Sequence, residues 1–152
     1  MRSNSRRLLL SSLVGGVVFW NAALAAAPYA LQQRSGGGAL IAATAVYVVG
    51  SVICHQRADR SFHPWGVQLP VCGRCAGLYF GALIGLCGVS CRFRTRTARL
   101  LIAMATVPTM ATWLLEAGAL VDPGNPGRAA AAAPLGAVVC GFAGGLIRGR
   151  VH

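Results

Sequence analysis

The chain has little charge, and very little of that charge is negative. Charged residues make up 11% of the 152 residues, against roughly 25% in an average globular protein. Three residues are acidic, and all fourteen basic residues are arginine, so lysine is absent. The scarcity of charge excludes an ordinary soluble domain. The absence of lysine, with abundant alanine and glycine, is typical of a GC-rich bacterial genome.

In place of charge, the sequence has long apolar segments. Apolar residues make up 55% of the chain, and the mean hydropathy is +0.60. A membrane-spanning helix needs about 20 mainly apolar residues, and several uncharged segments reach or approach that length. We therefore predict an all-α fold: a single membrane domain over residues 1–152, built as a polytopic bundle of four or five spans. The expected spans are 8–31, 36–54, 72–91, 100–121 and 129–147.

The first apolar segment permits two interpretations. Arg2, Arg6 and Arg7 precede an apolar run that ends near Ala23-Leu24-Ala25-Ala26, which resembles a secretory signal with a small-residue cleavage site. The uncharged run 8–33, however, is longer than the core of a typical signal. We therefore expect this segment to remain as an uncleaved span.

The net charge of +11 is carried by short arginine patches between the apolar segments. Patches of this kind orient membrane helices, so we expect the lipid bilayer as partner and no binding of nucleic acid. In a five-span arrangement the arginines divide equally between the two sides. The densest patch, 92–99, is predicted to be cytoplasmic. This choice places the polar loop 54–75 on the outer side of a bacterial inner membrane.

The third segment carries glycines at a strict spacing of four, so they share one helical face and allow another backbone to approach closely. These residues are Gly73, Gly77, Gly81 and Gly85. The last segment has a similar face at Gly136, Gly141, Gly144 and Gly145. Pairing of these two spans is one expectation. Contact of the third span with a second chain, in a homo- or hetero-oligomer, is the other.

Thiols and one imidazole meet at the edges of the loop 54–75. Cys54 and His55 end the second span, and the pair Cys72-x-x-Cys75 begins the third. A helix N-terminus and the adjacent Arg74 both favour thiolate. A Cys-x-x-Cys pair with a distant cysteine and histidine can complete tetrahedral zinc coordination. The predicted metal ligands are Cys54, His55, Cys72 and Cys75.

Four further residues are expected to support this site. Arg60 and Arg74 would offset the negative charge of the thiolates, and Tyr79 continues the helical face of Cys72 and Cys75 by one turn. Glu116 ends the fourth span, where a carboxylate is costly unless it is paired or faces a polar cavity. Its candidate partners are Arg128, Arg60 and Arg74; a position at the membrane interface is the alternative.

The other cysteines and histidines are given structural roles. We expect Cys87, Cys91 and Cys140 to be small buried apolar residues. His63 is interpreted as a loop residue and His152 as part of the tail.

Three sequence blocks resemble the DUF2085 family of small prokaryotic membrane proteins. The blocks are Cys54-His55-Gln56, Arg60-Ser61-Phe62, and the run from Leu69 through Cys72-Gly73-Arg74-Cys75 and Tyr79 to Gly81. They match the family pattern C-H-Q, R-S-F and C-x-R-C-x-G-x-Y-x-G in order. A weaker likeness continues through Glu116 and 125–128. The family has no known function, so the resemblance implies a membrane location and a shared motif without an activity.

Three hypotheses for function follow, and whether the protein is an enzyme stays open. The first is a transition-metal site, most simply Zn²⁺, or Cu(I) if thiolates dominate. The second is a membrane thiol–disulfide oxidoreductase that uses Cys72 and Cys75, with Cys54 as a relay and a quinone as cofactor; the second cysteine pair conventional in such enzymes is absent. The third is a non-catalytic accessory subunit of a membrane complex.

Overall fold

The computed structural model describes residues 2–34, 36–90 and 94–149. These ranges contain five α-helices and no strand, which confirms the predicted all-α bundle. The helices are α1 (Arg2–Gln32), α2 (Gly37–Ile53), α3 (Gly73–Gly85), α4 (Thr95–Ala117) and α5 (Gly124–Ile147). Short 3₁₀ turns lie at Ala58–Arg60, Pro64–Gly66 and Leu86–Ser90.

Three of the described helices are long and apolar enough to cross a membrane: Asn4–Gln32, Thr95–Ala117 and Gly124–Ile147. The second predicted span corresponds to α2, which has 17 residues. The third predicted span corresponds to α3 together with the 3₁₀ turn that follows it. The apolar helix formed in this way, Gly73–Val89, is also shorter than the three long helices. α4 ends before residue 121 and α5 begins before residue 129, so the loop between them is shorter than expected.

The extensive contact between α3 and α5 organises the bundle. The glycine face of α3 lies against α5, and the residues that it meets are also four apart. Gly77 faces Ala129, Gly81 faces Ala133 and Gly85 faces Ala137. Because the residue numbers increase in the same direction along both helices, α3 and α5 run parallel and begin on the same side. α5 therefore occupies the face that the sequence offered for contact with a second chain, and the structure favours the pairing of spans within the chain.

α4 returns antiparallel to α5. Thr109 Oγ1 donates a hydrogen bond to the Ala131 carbonyl, and Glu116 forms an ion pair with Arg128. The C-terminal end of α4 therefore lies beside the N-terminal ends of α3 and α5. This arrangement places Glu116 next to the cysteine loop, although the two are far apart in sequence.

α1 runs from the opposite side of the bundle up to the loop. Near its start, the Arg6 guanidinium lies beside the C-terminal end of α5, since a Cβ atom added at Gly149 would be 3.1 Å from Arg6 Nη1. Near its end, the Tyr29 ring meets the Trp65 ring of the loop edge-on, with centroids 5.5 Å apart. α2 starts after the turn that follows α1 and ends at Cys54, which also belongs to the loop. Both ends of α2 therefore lie towards the loop side.

Candidate metal centre

The loop between α2 and α3 brings Cys54 close to Cys72. Cys54 caps the C-terminal end of α2, where its N–H donates to the Gly50 carbonyl, and Cys72 caps the N-terminal end of α3. The Cys72 N–H donates to Cys54 Sγ at 3.2 Å. Ser61 forms an isolated antiparallel bridge with Cys72 and is fully buried. The loop thus folds back on itself so that its two ends meet.

Two glutamines hold this loop against α2. Gln56 Nε2 donates to the carbonyls of Tyr47 and Pro70, each at 2.8 Å. Gln68 Nε2 donates to the Gln56 carbonyl at 2.6 Å, and the Tyr47 hydroxyl donates to the Gln68 carbonyl. Backbone carbonyls away from water need hydrogen-bond donors, and the two amide side chains supply donors to Tyr47, Pro70 and Gln56. The loop geometry therefore depends on Gln56, which the sequence analysis quoted without a structural role, and on Gln68, which it did not name.

The thiols of Cys54, Cys72 and Cys75 form one group, in which the three Sγ atoms lie within 4.8 Å of one another. Cys54 is buried, and Cys72 and Cys75 are half-buried. The described cysteines are all free thiols. A tetrahedral ion with metal–sulfur bonds of about 2.3 Å separates its sulfurs by about 3.8 Å. The three thiols therefore need only a small contraction to bind one ion.

Cys72 lies just before α3 and has a strongly perturbed acidity. Hydrogen bonding to the Cys75 side chain lowers the pKa of the Cys72 thiol to about 5, although burial acts in the opposite direction. Thiolate is the form that binds metals and attacks disulfides. At neutral pH, Cys72 is therefore ready for either chemistry.

His55 is not part of the thiol group. Its side chain is exposed, and its ring nitrogens lie outside the set of ligand atoms that the three sulfurs form. It does line the same cavity as the thiols. Of the four metal ligands expected from sequence, the structure brings together three.

Glu116 lies at the centre of an ion-pair network beside the thiols. Its carboxylate is within 3.1 Å of Arg60 Nε, 2.6 Å of Arg74 Nη2 and 2.9 Å of Arg128 Nη2. The Glu116 side chain is only 9% exposed. All three arginines that the sequence offered as alternative partners therefore surround this carboxylate, and it does not stand alone at the membrane interface.

Arg128 lies within α5, where the sequence analysis had placed it in a loop. Its side chain is 5% exposed and also forms an ion pair with Asp122 at 2.8 Å. Its Nη1 donates to Asn125 Oδ1 at 2.9 Å, while Asn125 Nδ2 donates to the carbonyl of Ser61 at 2.7 Å. The helix can start at Gly124 because Pro126 falls in the first turn, where a proline costs no hydrogen bond. Arg128 and Asn125 thereby tie α5 to the network and to the loop.

A cavity of about 380 Å³ opens between the thiols and the arginines. Ile53 and Trp113, from α2 and α4, form its apolar walls. Its polar lining consists of Cys54, His55, Arg57, Arg60, Cys72, Arg74, Cys75 and Arg128. Among the described residues, no carboxylate lines it. The cavity thus combines soft metal ligands with a wall of arginines that are ion-paired from outside the cavity lining.

An apolar cluster covers the thiols on the side of α1. Leu24, Cys54 and Val71 form its buried centre, and Tyr79 packs against it. The Tyr79 ring meets the Trp20 ring edge-on, with centroids 5.9 Å apart. Tyr79 therefore supports the site through packing with α1.

The structural roles expected for the other cysteines and histidines hold in part. Cys140 is buried, as predicted. Cys87 is exposed, so that prediction was wrong; it lies in the 3₁₀ turn after α3, where Val89 takes the buried position against Gly144 of α5. His63 is an exposed loop residue. Cys91 and His152 lie outside the described residues.

Comparison with known proteins identifies the family. The model of the family described as "Predicted membrane protein (DUF2085)" matches residues 54–142, which is more than half of the chain. The chain therefore belongs to the DUF2085 family, as the three sequence blocks indicated. The match begins at the first cysteine of the thiol group and ends within α5, so it covers the whole candidate site.

Two similar curated proteins are archaeal and uncharacterised. An uncharacterised protein of Methanocaldococcus jannaschii is 31% identical over 81 residues, which are 53% of this chain and 52% of that protein. An uncharacterised protein of Methanothermobacter thermautotrophicus is 50% identical over 30 residues, which are 20% of this chain and 27% of that protein. The chain thus spans about half the length of these relatives or less. No solved structure matches.

Proposed function

We propose that this member of the DUF2085 family is an integral membrane protein that binds one transition-metal ion, most simply Zn²⁺, through Cys54, Cys72 and Cys75. The observation that carries the proposal is the grouping of three thiol sulfurs within 4.8 Å. Thiolates are ligands that Zn²⁺ and Cu(I) prefer. The lowered pKa of Cys72 supports metal binding by this one thiol at neutral pH, because a thiol must lose its proton to bind.

Elemental analysis of the purified protein tests this proposal. Protein extracted in a mild detergent should carry about one metal ion per chain, measured by inductively coupled plasma mass spectrometry, with thiols counted in the same sample. Cys72→Ser should lose the metal. Cys140→Ser is the matched control, since Cys140 is a buried thiol remote from the group, and it should keep the metal. Equal metal content in both variants would reject the assignment.

A thiol–disulfide oxidoreductase is the second candidate. The observation in its favour is a Cys-x-x-Cys pair at a helix N-terminus in which the pKa of the first thiol is about 5. In such a reaction, Cys72 and Cys75 would form a disulfide. Their two electrons and two protons would pass to a quinone, which becomes a hydroquinone. Absence of metal together with two missing thiols per chain would favour this candidate, and alkylation mapping would then locate the disulfide.

We further propose that the candidate site faces the outer side of a cell membrane. α1 runs from the C-terminal end of α5 to the loop, and both ends of α2 lie towards the loop side. On this course α2 does not cross the membrane, so the chain crosses it four times and not five. With four crossings, one side of the membrane carries Arg6, Arg7, Arg148 and the segment 94–99. Arginine-rich ends and loops are typical of the cytoplasmic side. Apart from Arg34, the arginines on the other side are ion-paired members of the site.

Reporter fusions at the C-terminus test this orientation in a bacterial host. Green fluorescent protein fused there should fluoresce, because it folds in the cytoplasm. Alkaline phosphatase fused at the same point should be inactive, because it needs an oxidising compartment. An active phosphatase fusion with a dark fluorescent fusion would place the site on the inner side.

A further inference from the structure

We propose that the metal centre is open: its fourth coordination position is filled by an anionic oxygen ligand from outside the chain. This inference rests on the proposed metal site and names the class of ligand that the site takes. The ligand class is a small anion with an oxygen donor, such as a phosphate group. A free anion and the phosphate of a lipid headgroup share this chemistry.

The number of available protein ligands supports an open position. Among the described residues, three side chains place ligand atoms within 4.8 Å of one another, and all three are cysteines. Glu116, the buried carboxylate nearby, is engaged by three arginines. His55 stays outside the group and is exposed. Structural zinc sites are closed by four protein ligands, whereas sites with three protein ligands keep a position for water or substrate.

The lining of the cavity indicates the charge of the outside ligand. Four arginines face the same cavity as the thiols. Three carboxylates pair with them from outside the lining, so the four positive charges exceed the negative ones by one. Guanidinium groups match phosphate and carboxylate geometry through paired N–H donors. The arrangement therefore favours an anion over a neutral ligand.

Arg74 retains donor capacity on this wall. It donates one hydrogen bond from Nη2 to Glu116, and its buried Nε has no hydrogen-bond partner. A guanidinium has five N–H donors, so one carboxylate oxygen leaves most of them to other acceptors. Because Arg74 lines the same cavity as Cys72 and Cys75, an anion bound to the metal would lie within its reach.

The size and position of the cavity also fit a ligand larger than water. Its volume is about 380 Å³, whereas one water occupies about 30 Å³ in the liquid. Its apolar walls, Ile53 and Trp113, are half-exposed. They lie near the C-terminal ends of α2 and α4, which are on the loop side. A lipid phosphate could therefore reach the metal from the bilayer, and a free anion could reach it from the water.

Cobalt substitution tests the inference separately from the metal site. Co²⁺ bound by thiolates gives sulfur-to-cobalt charge-transfer absorption, and its d–d bands report the fourth ligand. Inorganic phosphate, titrated into the Co²⁺ protein in detergent, should shift the d–d bands saturably. Arg57→Gln should weaken the apparent affinity about twofold to fivefold, as expected for a solvent-exposed charge pair. Arg96→Gln, an equal charge change at the far end of α4, should have no effect.

A second arm distinguishes the two sources of phosphate. The Co²⁺ protein is compared in nanodiscs of phosphatidylglycerol and of phosphatidylcholine. A band shift with free phosphate alone identifies a soluble anion, and a shift in phosphatidylglycerol alone identifies a lipid headgroup. Both results support the open position.

Two other outcomes overturn the inference, and they separate it from the metal proposal. If the charge-transfer absorption forms but neither phosphate nor lipid changes the d–d bands, and His55→Asn does change them, His55 closes the site and the metal proposal stands. If no charge-transfer absorption forms at all, the metal proposal itself fails.

Discussion

The close approach of α3 and α5 allows a quantitative test at Gly81. A Cβ atom added there would lie 2.7 Å from the carbonyl carbon and 2.8 Å from the Cα of Ala133, and closer still to its carbonyl oxygen. Ordinary contacts between carbon atoms lie at about 3.5–4.0 Å. The obstacle is backbone, which cannot rotate away as a flexible side chain can. In Gly81→Ala, α5 would therefore have to withdraw by about 1 Å.

The magnitude follows from the cost of overpacking. Extra atoms in a well-packed interior cost typically about 1–3 kcal/mol, and we expect Gly81→Ala to reach the upper end. Gly16→Ala is the matched control. Gly16 also lies within a helix of the bundle, but a Cβ there would meet nothing within 4 Å. The control reports the effect of alanine alone, and the difference between the two variants isolates the overpacking.

The assay is reversible unfolding in mixed micelles, with sodium dodecyl sulfate as denaturant and tryptophan fluorescence as the signal. Trp20 is a suitable reporter because its ring contacts Tyr79 on α3. Gly81→Ala should be less stable than Gly16→Ala by about 2–3 kcal/mol. If the two variants unfold at the same denaturant concentration, the α3–α5 contact described above is wrong.

Three further predictions concern the candidate site. Glu116→Gln should lower the free energy of unfolding by about 3 kcal/mol, because largely buried Arg74 loses its carboxylate partner, while Arg128 keeps Asp122. Asp59→Asn, at an exposed ion pair, should cause no measurable change, and equal effects would refute the network. In metal-free protein, the alkylation rate of Cys72 should fall as the pH drops through about 5. The alkylation rate of glutathione in the same solution should already fall as the pH drops through about 8.5. If the two rates depend on pH in the same way, the lowered pKa is wrong. Gln56→Ala should weaken metal affinity about tenfold, as the loss of a residue that supports the ligands typically does. Gln33→Ala, in the exposed turn after α1, should leave the affinity unchanged. Competition with a chelator measures both affinities.

The polar loop illustrates the limit of prediction from sequence. The positions of Cys54 and Cys72 beside apolar segments are visible in the sequence, and so is their common side of the membrane. The hydrogen bonds that close the loop are not visible. Gln56 reaches Tyr47 and Pro70 from a backbone with a positive φ of 46°, a conformation that glutamine rarely adopts. The C-H-Q block marks Gln56 but does not show which carbonyls it binds, because these lie nine and fourteen residues away in sequence.

The same limit applies to His55. Adjacent to Cys54 in sequence, it is a natural fourth ligand for zinc. α2 ends at Cys54, however, and the backbone there turns into an extended conformation. In extended backbone, neighbouring side chains point in opposite directions. Cys54 is therefore buried while His55 is exposed.

By itself, the sequence determined the class of this protein, because burial in lipid demands long uncharged segments and these can be recognised in the order of its residues. It also determined the family and the positions of the three thiols. Only the tertiary structure decided what these residues meet. The parallel course of α3 and α5 used the glycine face inside the chain, and the return of α4 carried Glu116 to Arg60, Arg74 and Arg128. Contacts of this kind depend on how helices cross in space. Spacing along one helix shows which face permits close approach, but it does not decide which neighbour covers that face.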